Sequence, residues 1–323
     1  MCGIAGIIPA TSTSISGDLL ARMSQRLEHR GPDDRGCLVF TAGRCNVTLA
    51  PPAMAAPADA ILLHRRLSIL DLSPAGRQPM GTPDGRYFVV FNGEIYNYLE
   101  LRAELEQAGV QFRSHSDTEV LLHAYIHWGP QCLHRLTGMF AFAILDTRDR
   151  LVFLARDFFG IKPLYYTRSS AGFAFASQIS ALLEFPGVGR DVDPARLYLY
   201  LRYGLTDHGS DTLFADIHQL PAGHYIQIPL DNPDANAAVH YWRPDREARV
   251  DVSFEEAARR MREVFLNNVK LHLRSDVPVG ACLSGGIDSS SIVMAMRHIQ
   301  GPTLDLHTFG YIGDDPAIDE EAW

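Results

Sequence analysis

The first part of the chain is predicted to be an α+β domain. Short runs rich in β-branched and aromatic residues, each bounded by Gly, Asp or Pro, predict strands at 87–91, 140–145, 151–154 and 172–175. Amphipathic patterns between these runs predict helices at 17–28, 99–107 and 118–128. Because strands and helices do not alternate one by one, a regular β-α-β arrangement is not expected in this part.

Composition and charge narrow the class of protein. At about 150 residues per domain, a chain of 323 residues is expected to form about two domains, and a hydrophobic content of 46% suffices for their cores. The net charge of −9 argues against nucleic acid or an anionic membrane as the main partner. No apolar run is long enough to span a membrane, and the first residues lack the basic region of a signal peptide.

The cysteine pattern indicates a reducing compartment. The chain has five cysteines and no C-x-x-C motif, so neither a disulfide framework nor a zinc ribbon is expected. We therefore expect a cytoplasmic location, which would keep a reactive thiol reduced.

Changes along the chain predict three sections. We expect a first domain over 1–190, a connecting segment over 191–250 and a partial second domain over 251–323. Within the connecting segment, Asp193-Pro194 can open a helix, and residues 229–237 are typical of an exposed turn.

The third section contains a possible phosphate site. A long amphipathic helix capped by Ser253 is followed by an apolar strand over 277–283, the glycine-containing turn 284–290 and an apolar helix. A strand, a glycine turn and a helix N-terminus can cradle phosphate, and Asp288 suits a Mg²⁺ ion that bridges phosphates. The turn is not a Walker loop, and the alternative is a serine-rich turn that merely opens a helix.

Cys2 is the most informative single residue. Removal of Met1 would leave Cys2 with a thiol and a free α-amino group. An α-amino group has a pKa near ~8, so it can accept the thiol proton and one residue can supply both nucleophile and base. The alternative is a stray cysteine on a frayed terminus.

Three further residues could complete a site around such a nucleophile. A turn after the strand ending at Phe91 could direct the Asn92 amide and the Gly93 N–H at a developing oxyanion, although an Asn-Gly pair is also a common hairpin turn. A buried Arg66 could bind a carboxylate and a buried Asp117 an ammonium group. Either could instead be a surface charge, and Asp117 could be a helix cap.

The chain resembles a known family through a series of ordered motifs. Those that resemble the class II glutamine amidotransferase domain are Cys2-Gly3-Ile4, His29-Arg30-Gly31-Pro32-Asp33, Arg66-Leu67-Ser68-Ile69, Asn92-Gly93-Glu94-Ile95-Tyr96-Asn97 and Ser116-Asp117-Thr118-Glu119. Those that resemble the glutamine-hydrolysing asparagine synthetases are 138–143, 156–165, 275–280 and 284–290. The resemblance covers essentially the whole chain.

The resemblance implies a fold and a set of roles for the first domain. The fold would be the four-layer αββα N-terminal-nucleophile fold. Cys2 would attack the glutamine amide and release ammonia, with Asn92 and Gly93 as the oxyanion hole. The residues that would bind glutamine are Arg66, Leu67, Ser68, Ile69, Leu70, Asn92, Gly93, Glu94 and Asp117.

For the second domain, the resemblance implies the beginning of an α/β adenine-nucleotide alpha-hydrolase-like fold that uses ATP. ATP would activate aspartate as β-aspartyl-AMP, and ammonia would reach it through an internal tunnel. The residues that would bind ATP or pyrophosphate are Leu283, Ser284, Gly285, Gly286, Asp288 and Ser289, with Asp288 as the Mg²⁺ ligand. The implied partners are glutamine, aspartate and ATP, with no nucleic acid and no membrane; a homodimer is left open.

The sequence departs from the family pattern in three places. Ser177 is followed by Gln178 where members commonly have Glu, and the glycine spacing in 308–313 is unusual. The chain also stops at Trp323, whereas members continue well beyond, so we expect a truncated synthetase half.

Two other functions are compatible with the same front half. One is a related synthetase-like amidotransferase that acts on a peptide or polysaccharide acceptor. The other is a truncated glutaminase-only or non-catalytic remnant, against which the joint presence of Cys2, Arg66, Asn92, Gly93 and Asp117 argues.

Overall fold

The computed structural model describes residues 1–10, 14–52, 57–206, 209–235, 237–301 and 304–311. The chain divides into two compact units, Met1–Pro244 and Asp245–Trp323. Within the described residues, no helix combines the length and the apolar character that crossing a bilayer requires.

The first unit contains most of the secondary structure. Its described strands are β1 (Gly3–Pro9), β2 (Asp34–Thr41), β3 (Arg44–Thr48), β4 (Ala60–Arg66), β5 (Met80–Gly81), β6 (Tyr87–Ile95), β7 (Gly138–Asp146), β8 (Leu151–Arg156), β9 (Tyr165–Ser169), β10 (Gly172–Ala176), β11 (Ile217–Gln219), β12 (His224–Pro229) and β13 (Ala238–His240). Its described helices are α1 (Gly17–Arg26), α2 (Tyr98–Gln107), α3 (Asp117–Trp128), α4 (Ile179–Leu182) and α5 (Pro194–Tyr203). The helices and strands predicted from the sequence in this unit are therefore confirmed.

These strands form two mostly antiparallel sheets that pack face to face. In the described residues one sheet has the order β11-β9-β10-β1-β4-β2-β3 and the other β13-β12-β8-β7-β6-β5. Apolar side chains from both sheets, such as Ile4, Leu62, Val90 and Leu154, share one buried cluster between them. Burial of such alternating inner faces drives two sheets together.

Helices cover both outer faces of this sandwich. Leu20 and Met23 of α1 and Leu182 of α4 pack on the outer face of the first sheet. Leu101 of α2 and Leu121 of α3 pack on the outer face of the second. The layers are thus helix, sheet, sheet and helix, which is the four-layer αββα arrangement expected from the resemblance.

Short polar side chains fix where the helices begin. The Ser16 hydroxyl accepts a hydrogen bond from the Leu19 N–H at the start of α1, and Ser116 accepts one from Thr118 N–H at the start of α3. Asp193 caps α5, whose first residue is Pro194, as its sequence predicted. Each cap satisfies a backbone donor that the helix itself leaves unpaired.

The boundary between the units differs from the predicted division. The sequence suggested a connecting segment over 191–250, but this stretch supplies β11 to the first sheet through β9, and β12 to the second sheet through β8. The first unit extends to Pro244. The strands β11 and β13 are only three residues long, too short to show a clear period-2 pattern.

The second unit is described over 245–301 and 304–311. It contains α6 (Phe254–His272), β14 (Gly280–Cys282), α7 (Ile287–Gln300) and β15 (His307–Phe309). Ser253 caps α6 by accepting from the Glu256 N–H, and β14 pairs in parallel with β15. Residues 312–313 of the segment with unusual glycine spacing lie outside the described residues.

Candidate active site

Cys2 lies directly before β1, a strand in the interior of the first sheet. β1 pairs with β10 on one side and β4 on the other, so the terminus is held by two strands. The Arg30 guanidinium donates from Nε to the Cys2 carbonyl at 3.0 Å. The Leu67 N–H points at Cys2 Sγ, with N and S 3.4 Å apart. The terminus is therefore anchored, and the interpretation of Cys2 as part of a frayed tail is wrong.

The surroundings of Cys2 favour its protonated form. Burial raises the pKa of the Cys2 thiol, although the Leu67 N–H and the Arg66 charge act in the opposite direction. Burial also lowers the pKa of the terminal amine, which in this structure is on Met1. A protonated thiol beside an amine that readily becomes neutral needs that amine, or another base, before it can act as a nucleophile.

Arg66 is buried at the end of β4 and shapes the loop that follows. Its guanidinium donates to the carbonyl oxygens of Leu70 at 3.1 Å and Ser73 at 3.2 Å, and to that of Asp71. Asp33 holds the same loop from the other side, because its carboxylate accepts from the Ser68 N–H at 2.8 Å. Arg66 is thus not a surface charge, and it lines the pocket next to Cys2.

Asn92 and Gly93 lie inside a strand, not in the turn that their sequence suggested. β6 continues to Ile95, and across β7 Asn92 pairs with Ala141 and Gly93 with Phe140. The pair therefore forms neither the turn expected to direct both groups at an oxyanion nor a hairpin turn. The reason is that a Cβ at Gly93 would collide with the Met139 carbonyl oxygen, so glycine here permits close strand packing rather than a bend.

The Asn92 side chain is the least satisfied polar group of the site. It is fully buried, and neither its Nδ2 nor its Oδ1 has a hydrogen-bond partner within the part of the chain that the structure describes. It lines the same pocket as Cys2. A buried amide without a partner costs roughly 1–3 kcal/mol, so such a group usually waits for a ligand or a water molecule.

Asp117 is buried at the start of α3, and its carboxyl is a weaker acid than an exposed aspartate. Its Oδ2 accepts from the Ile95 N–H at 3.0 Å, whereas the cap of the helix is Ser116, so the interpretation of Asp117 as the cap is wrong. Burial raises the pKa of Asp117 to about 7, and the negative charge of Glu94 adds to the rise. A cation in the pocket would remove this cost, because an opposite charge favours the ionised carboxylate.

One pocket of the first unit brings the predicted residues together. It is lined by Met1, Cys2, Arg66, Leu67, Ile69, Leu70, Gln78, Phe91, Asn92, Gly93, Glu94, Ser116, Asp117, Thr118 and Lys162. Of the residues predicted to bind glutamine, Ser68 is the one that is not among them. Its backbone N–H is instead used to hold the loop through Asp33.

Sequence reasoning gave no role to Lys162, which is buried in this pocket. The residues around it explain the motif in which it stands. Arg156 donates to the carbonyls of Gly160 and Lys162, and Asp157 accepts from the Ile161 and Lys162 N–H groups. Burial lowers the pKa of Lys162, against the attraction of Glu94. The place of Lys162 in the pocket depends on these contacts, which the local sequence does not show.

Gln78 was also missed, although it lies between the strand of Asn92 and the helix of Asp117. Its Oε1 accepts from the Phe91 N–H at 2.6 Å, and its Nε2 donates to Thr118 Oγ at 3.1 Å. Nothing in the sequence around Gln78 distinguishes it from a surface glutamine.

Gln178, which stands where family members commonly have Glu, contacts a histidine side chain. Its Nε2 lies 2.8 Å from Nε2 of His29, the first residue of the motif over 29–33. The Gln178 amide N–H can donate to His29 Nε2 when that nitrogen carries no proton, whereas a glutamate at this position would need a proton on that nitrogen. The departure from the family pattern therefore removes a charge, and the uncharged amide that replaces it contacts His29.

The predicted phosphate turn of the second unit has the expected local geometry. Gly285 has a φ of +74°, and Gly286 is the cap residue before α7. The Ser284 and Ser289 hydroxyls lie 3.2 Å apart across the turn. The N–H groups at a helix start suit an anion.

The same turn offers one carboxylate for a metal ion. Asp288 is exposed in the first turn of α7. Within the described ranges no three His, Cys, Asp or Glu residues form a metal-binding group. Mg²⁺ on a nucleotide takes one or two carboxylates besides phosphate oxygens and water, so Asp288 fits that ion only together with the nucleotide.

Comparisons with known proteins agree with this geometry. A glutamine amidotransferase domain family matches residues 1–242, and an asparagine synthase family matches residues 260–323. The first match ends close to the boundary at Pro244.

Individual relatives match along almost the whole chain. The chain is 35% identical over 314 residues to asparagine synthetase [glutamine-hydrolyzing] 1 of Bacillus subtilis, a match that covers 96% of this chain and 46% of that protein. It is 34% identical over 324 residues to the amidase chry2 of Gibberella zeae, with 95% and 45% covered. The chain thus spans about half the length of these relatives.

Among solved structures, the chain is similar to a glutamine phosphoribosylpyrophosphate amidotransferase from B. subtilis. The TM-score is 0.55 at 15% sequence identity, and the match covers 98% of this chain and 69% of the other. At this identity the similarity concerns the fold, which supports the N-terminal-nucleophile fold expected from the sequence.

Proposed function

We infer the function from the family, since the chain belongs to the glutamine amidotransferases, whose domain matches residues 1–242. We propose that Cys2 hydrolyses glutamine to glutamate and ammonia. In the whole protein, the ammonia would amidate aspartate at the expense of ATP. The chain spans about half of its relatives, so the aspartate step belongs to the proposal for the whole protein.

One observation supports the glutaminase step more than any other. The fully buried amide of Asn92 has no hydrogen-bond partner among the described residues and lines the pocket of Cys2. A donor held ready beside a nucleophile is what an oxyanion hole requires, and removing one such donor typically costs about 3–4 kcal/mol of barrier.

The reaction would begin with removal of Met1. The free amine of Cys2 would then accept the thiol proton, and Sγ would attack the carbon of the glutamine side-chain amide. The raised pKa of the thiol makes this transfer necessary, because little thiolate is present before substrate binds. The oxygen of the tetrahedral intermediate would receive hydrogen bonds from the Asn92 amide and the Gly93 N–H.

Collapse of this intermediate would complete the reaction. The C–N bond breaks, the amine returns its proton to the leaving nitrogen, and ammonia departs. A water molecule, activated by the same amine, then hydrolyses the thioester to glutamate and restores the thiol. Atoms balance: glutamine and water give glutamate and ammonia.

Charged residues at both sides of the pocket would select a free amino acid. Arg66 has guanidinium N–H groups beyond those that bind the loop carbonyls, and they would bind the α-carboxylate. Asp117 and Glu94 would bind the α-ammonium group. The cost of ionising Asp117 in the empty pocket would be repaid when that ammonium enters.

The second unit would contribute to nucleotide binding. The backbone around Leu283, Ser284, Gly285, Gly286 and Ser289 would hold the phosphates of ATP, with a Mg²⁺ ion on Asp288 to neutralise charge as pyrophosphate leaves. Adenylation would give the aspartate carboxylate a leaving group, which ammonia then displaces. A cytoplasmic location is part of this proposal, since Cys2 must remain reduced.

The direct test measures glutamate formed from glutamine by the purified 323-residue chain, after mass spectrometry has established whether Met1 is removed. We expect steady formation of glutamate and ammonia in equal amounts. Absence of hydrolysis in protein that begins at Cys2 would contradict the glutaminase proposal.

A second candidate concerns the acceptor. The similarity to an amidase of Gibberella zeae, at nearly the same identity as to the synthetase, favours a related amidotransferase with another acceptor. The test is product analysis with the protein extended to the length of its relatives. Asparagine, AMP and pyrophosphate from aspartate, glutamine and ATP would support the synthetase, and glutaminase activity without asparagine would favour the alternative.

A further inference from the structure

The edge of β6 that faces away from β7 is unusual because side chains replace a neighbouring strand. β5 pairs only with its first half, through Met80 with Val89 and Gly81 with Phe88. Beyond Val89, the Phe91 N–H donates to Gln78 Oε1 at 2.6 Å, and the Phe91 carbonyl lies 3.1 Å from His64 Nε2.

The same edge continues to Asp117. In a strand, the N–H groups of residues two apart point to the same edge. The Ile95 N–H on this edge donates to Asp117 Oδ2 at 3.0 Å. Between Phe91 and Ile95, the alternation directs the Gly93 N–H to this edge too, and Gly93 lines the pocket. Gln78 and Asp117 thus bracket Gly93.

Gln78 also links strand β6 to the start of helix α3. Its Nε2 donates to Thr118 Oγ at 3.1 Å, and Thr118 follows Asp117 at the start of α3. Both ends of the Gln78 amide are therefore occupied by protein groups, and the side chain is buried. A ring of contacts links Gln78, Phe91, Ile95, Asp117 and Thr118 around the position of Gly93.

We propose that Gln78 is a positioning residue for glutamine hydrolysis. It holds the uncovered edge of β6 so that the Gly93 N–H and the Asn92 amide face the reacting oxygen, and it fixes that edge relative to the helix that carries Asp117. It acts through Phe91 and Thr118 and does not bind substrate. This role rests on the proposed glutaminase function.

His64 supports the same segment from the first sheet. It is buried, and burial lowers its pKa to about 4, so at neutral pH its uncharged ring donates from Nε2 to the Phe91 carbonyl. Both backbone groups of Phe91 are therefore held by side chains, one from β4 and one from the loop before β5. These two side chains satisfy the backbone of Phe91 at a point of the edge where β5 supplies no partner.

The test compares Gln78→Leu and Gln78→Glu in the full chain, with the exposed Gln25→Leu as a matched control. Leucine removes both hydrogen bonds, whereas a glutamate kept protonated by burial accepts from the Phe91 N–H and donates to Thr118 Oγ, as the glutamine amide does. Since a displacement of about 1 Å can cost on the order of a hundredfold in rate, we expect kcat to fall at least about tenfold in Gln78→Leu. The glutamine KM should change less than about threefold, and Gln78→Glu should restore most of kcat.

Hydrogen–deuterium exchange separates this inference from the proposed function. In Gln78→Leu, the peptide over 87–95 should exchange faster than in the wild type, while the peptide over 17–26 stays unchanged. Unchanged exchange over 87–95, or a Gln78→Glu variant as impaired as Gln78→Leu, would overturn the positioning role even if glutamine is hydrolysed. An inactive wild type with the expected exchange pattern would instead overturn the glutaminase proposal and leave Gln78 only the support of the β6 edge.

Discussion

The two units differ in how completely each supports its own site. In the first, three buried clusters lie between and outside the two sheets, and the pocket of Cys2 is built on strands and helix starts that these clusters fix. In the described part of the second, one cluster contains three buried apolar residues, Val269, Ala295 and Met296.

Exposure shows the same contrast. Phe254 and Ile287 of the second unit are each 82% exposed, and Met261 is 70% exposed. Large apolar side chains on one face of α6 and α7 therefore lack a cover within the described residues. A site needs supporting residues that hold its geometry to a fraction of an ångström, so the first unit is better prepared for chemistry than the second.

Loss of the nucleophile should have the largest effect. Cys2→Ala should lower glutamine hydrolysis at least about a thousandfold, because no covalent intermediate can form. The half-buried Cys45 on β3 provides the matched control, and Cys45→Ala should keep nearly full activity. Substantial glutaminase activity in Cys2→Ala would place the chemistry outside the first unit's pocket.

Limited proteolysis tests the difference in support directly. A protease should cut the described part of the second unit, 245–301 and 304–311, about a hundredfold faster than the first, since locally unstable regions open more often. A resistant fragment that ends near Pro244 is expected, because β11, β12 and β13 belong to the sheets of the first unit. Equal resistance along both units, seen by mass spectrometry of the fragments, would contradict the comparison.

Removal of a charge from the pocket should mainly weaken glutamine binding. Asp117→Ala and Arg66→Ala should each raise the glutamine KM about tenfold or more, because a buried charge left unpaired costs about 2–5 kcal/mol. Asp234→Ala, at an exposed aspartate of the same unit, is the control. Normal KM values in both pocket variants, measured by steady-state kinetics, would limit these residues to structural roles.

The mildest effect should be the pH dependence of the glutamine KM, which we expect to follow the charge of Asp117. Burial raises the pKa of Asp117 from 3.8 to about 7, so below pH 7 the carboxyl is mostly neutral and attracts the ammonium group weakly. The glutamine KM should therefore rise as pH falls below 7 and level off near the value expected for Asp117→Ala, because protonation removes the same negative charge. Asp117→Asn should show a higher KM without this slope, and a slope retained in Asp117→Asn would assign it to another group.

The raised pKa of Asp117 also makes the stability of the folded protein depend on pH. Between about pH 4 and pH 7 the folded protein holds the Asp117 proton more tightly than the unfolded chain does. Unfolding then releases protons, so the contribution of this carboxyl to stability is present at low pH and is lost as pH rises through about 7. The acid that would select the substrate thus costs stability when the pocket is empty.

Most of the first unit could be predicted from the sequence because its strands and helices have strong local patterns. The limits 17–26 of α1 and 98–107 of α2 lie within two residues of the predicted ones. The short strands β11 and β13 could not be predicted, because three residues carry too little pattern, and β11 moreover pairs with β9, which lies about 50 residues earlier in the chain. Long-range pairing of this kind is decided by the whole sheet.

In the candidate site, too, local sequence patterns predicted some residues, whereas others depend on long-range contacts. Cys2, Arg66 and Asp117 could be identified, since charged or reactive side chains in motifs suggest chemistry. Asn92 and Gly93 were identified correctly as pocket residues but placed in a turn, because the sequence Asn-Gly is typical of turns and only the close approach of β7 excludes one. Gln78 and Lys162 could not be assigned, because their roles depend on contacts that no local pattern records.

The close contact at Gly93 also restricts how this pocket can change. A side chain at Gly93 would strike the Met139 carbonyl, and one at Gly138 would strike the Glu94 carbonyl, so neither glycine can be replaced by a larger residue unless the strands move apart. The floor of the pocket at Gly93 therefore cannot be raised by substitution. New substrate preferences, whether evolved or engineered, would arise instead at pocket positions that already carry side chains, such as Leu67, Ile69 and Leu70.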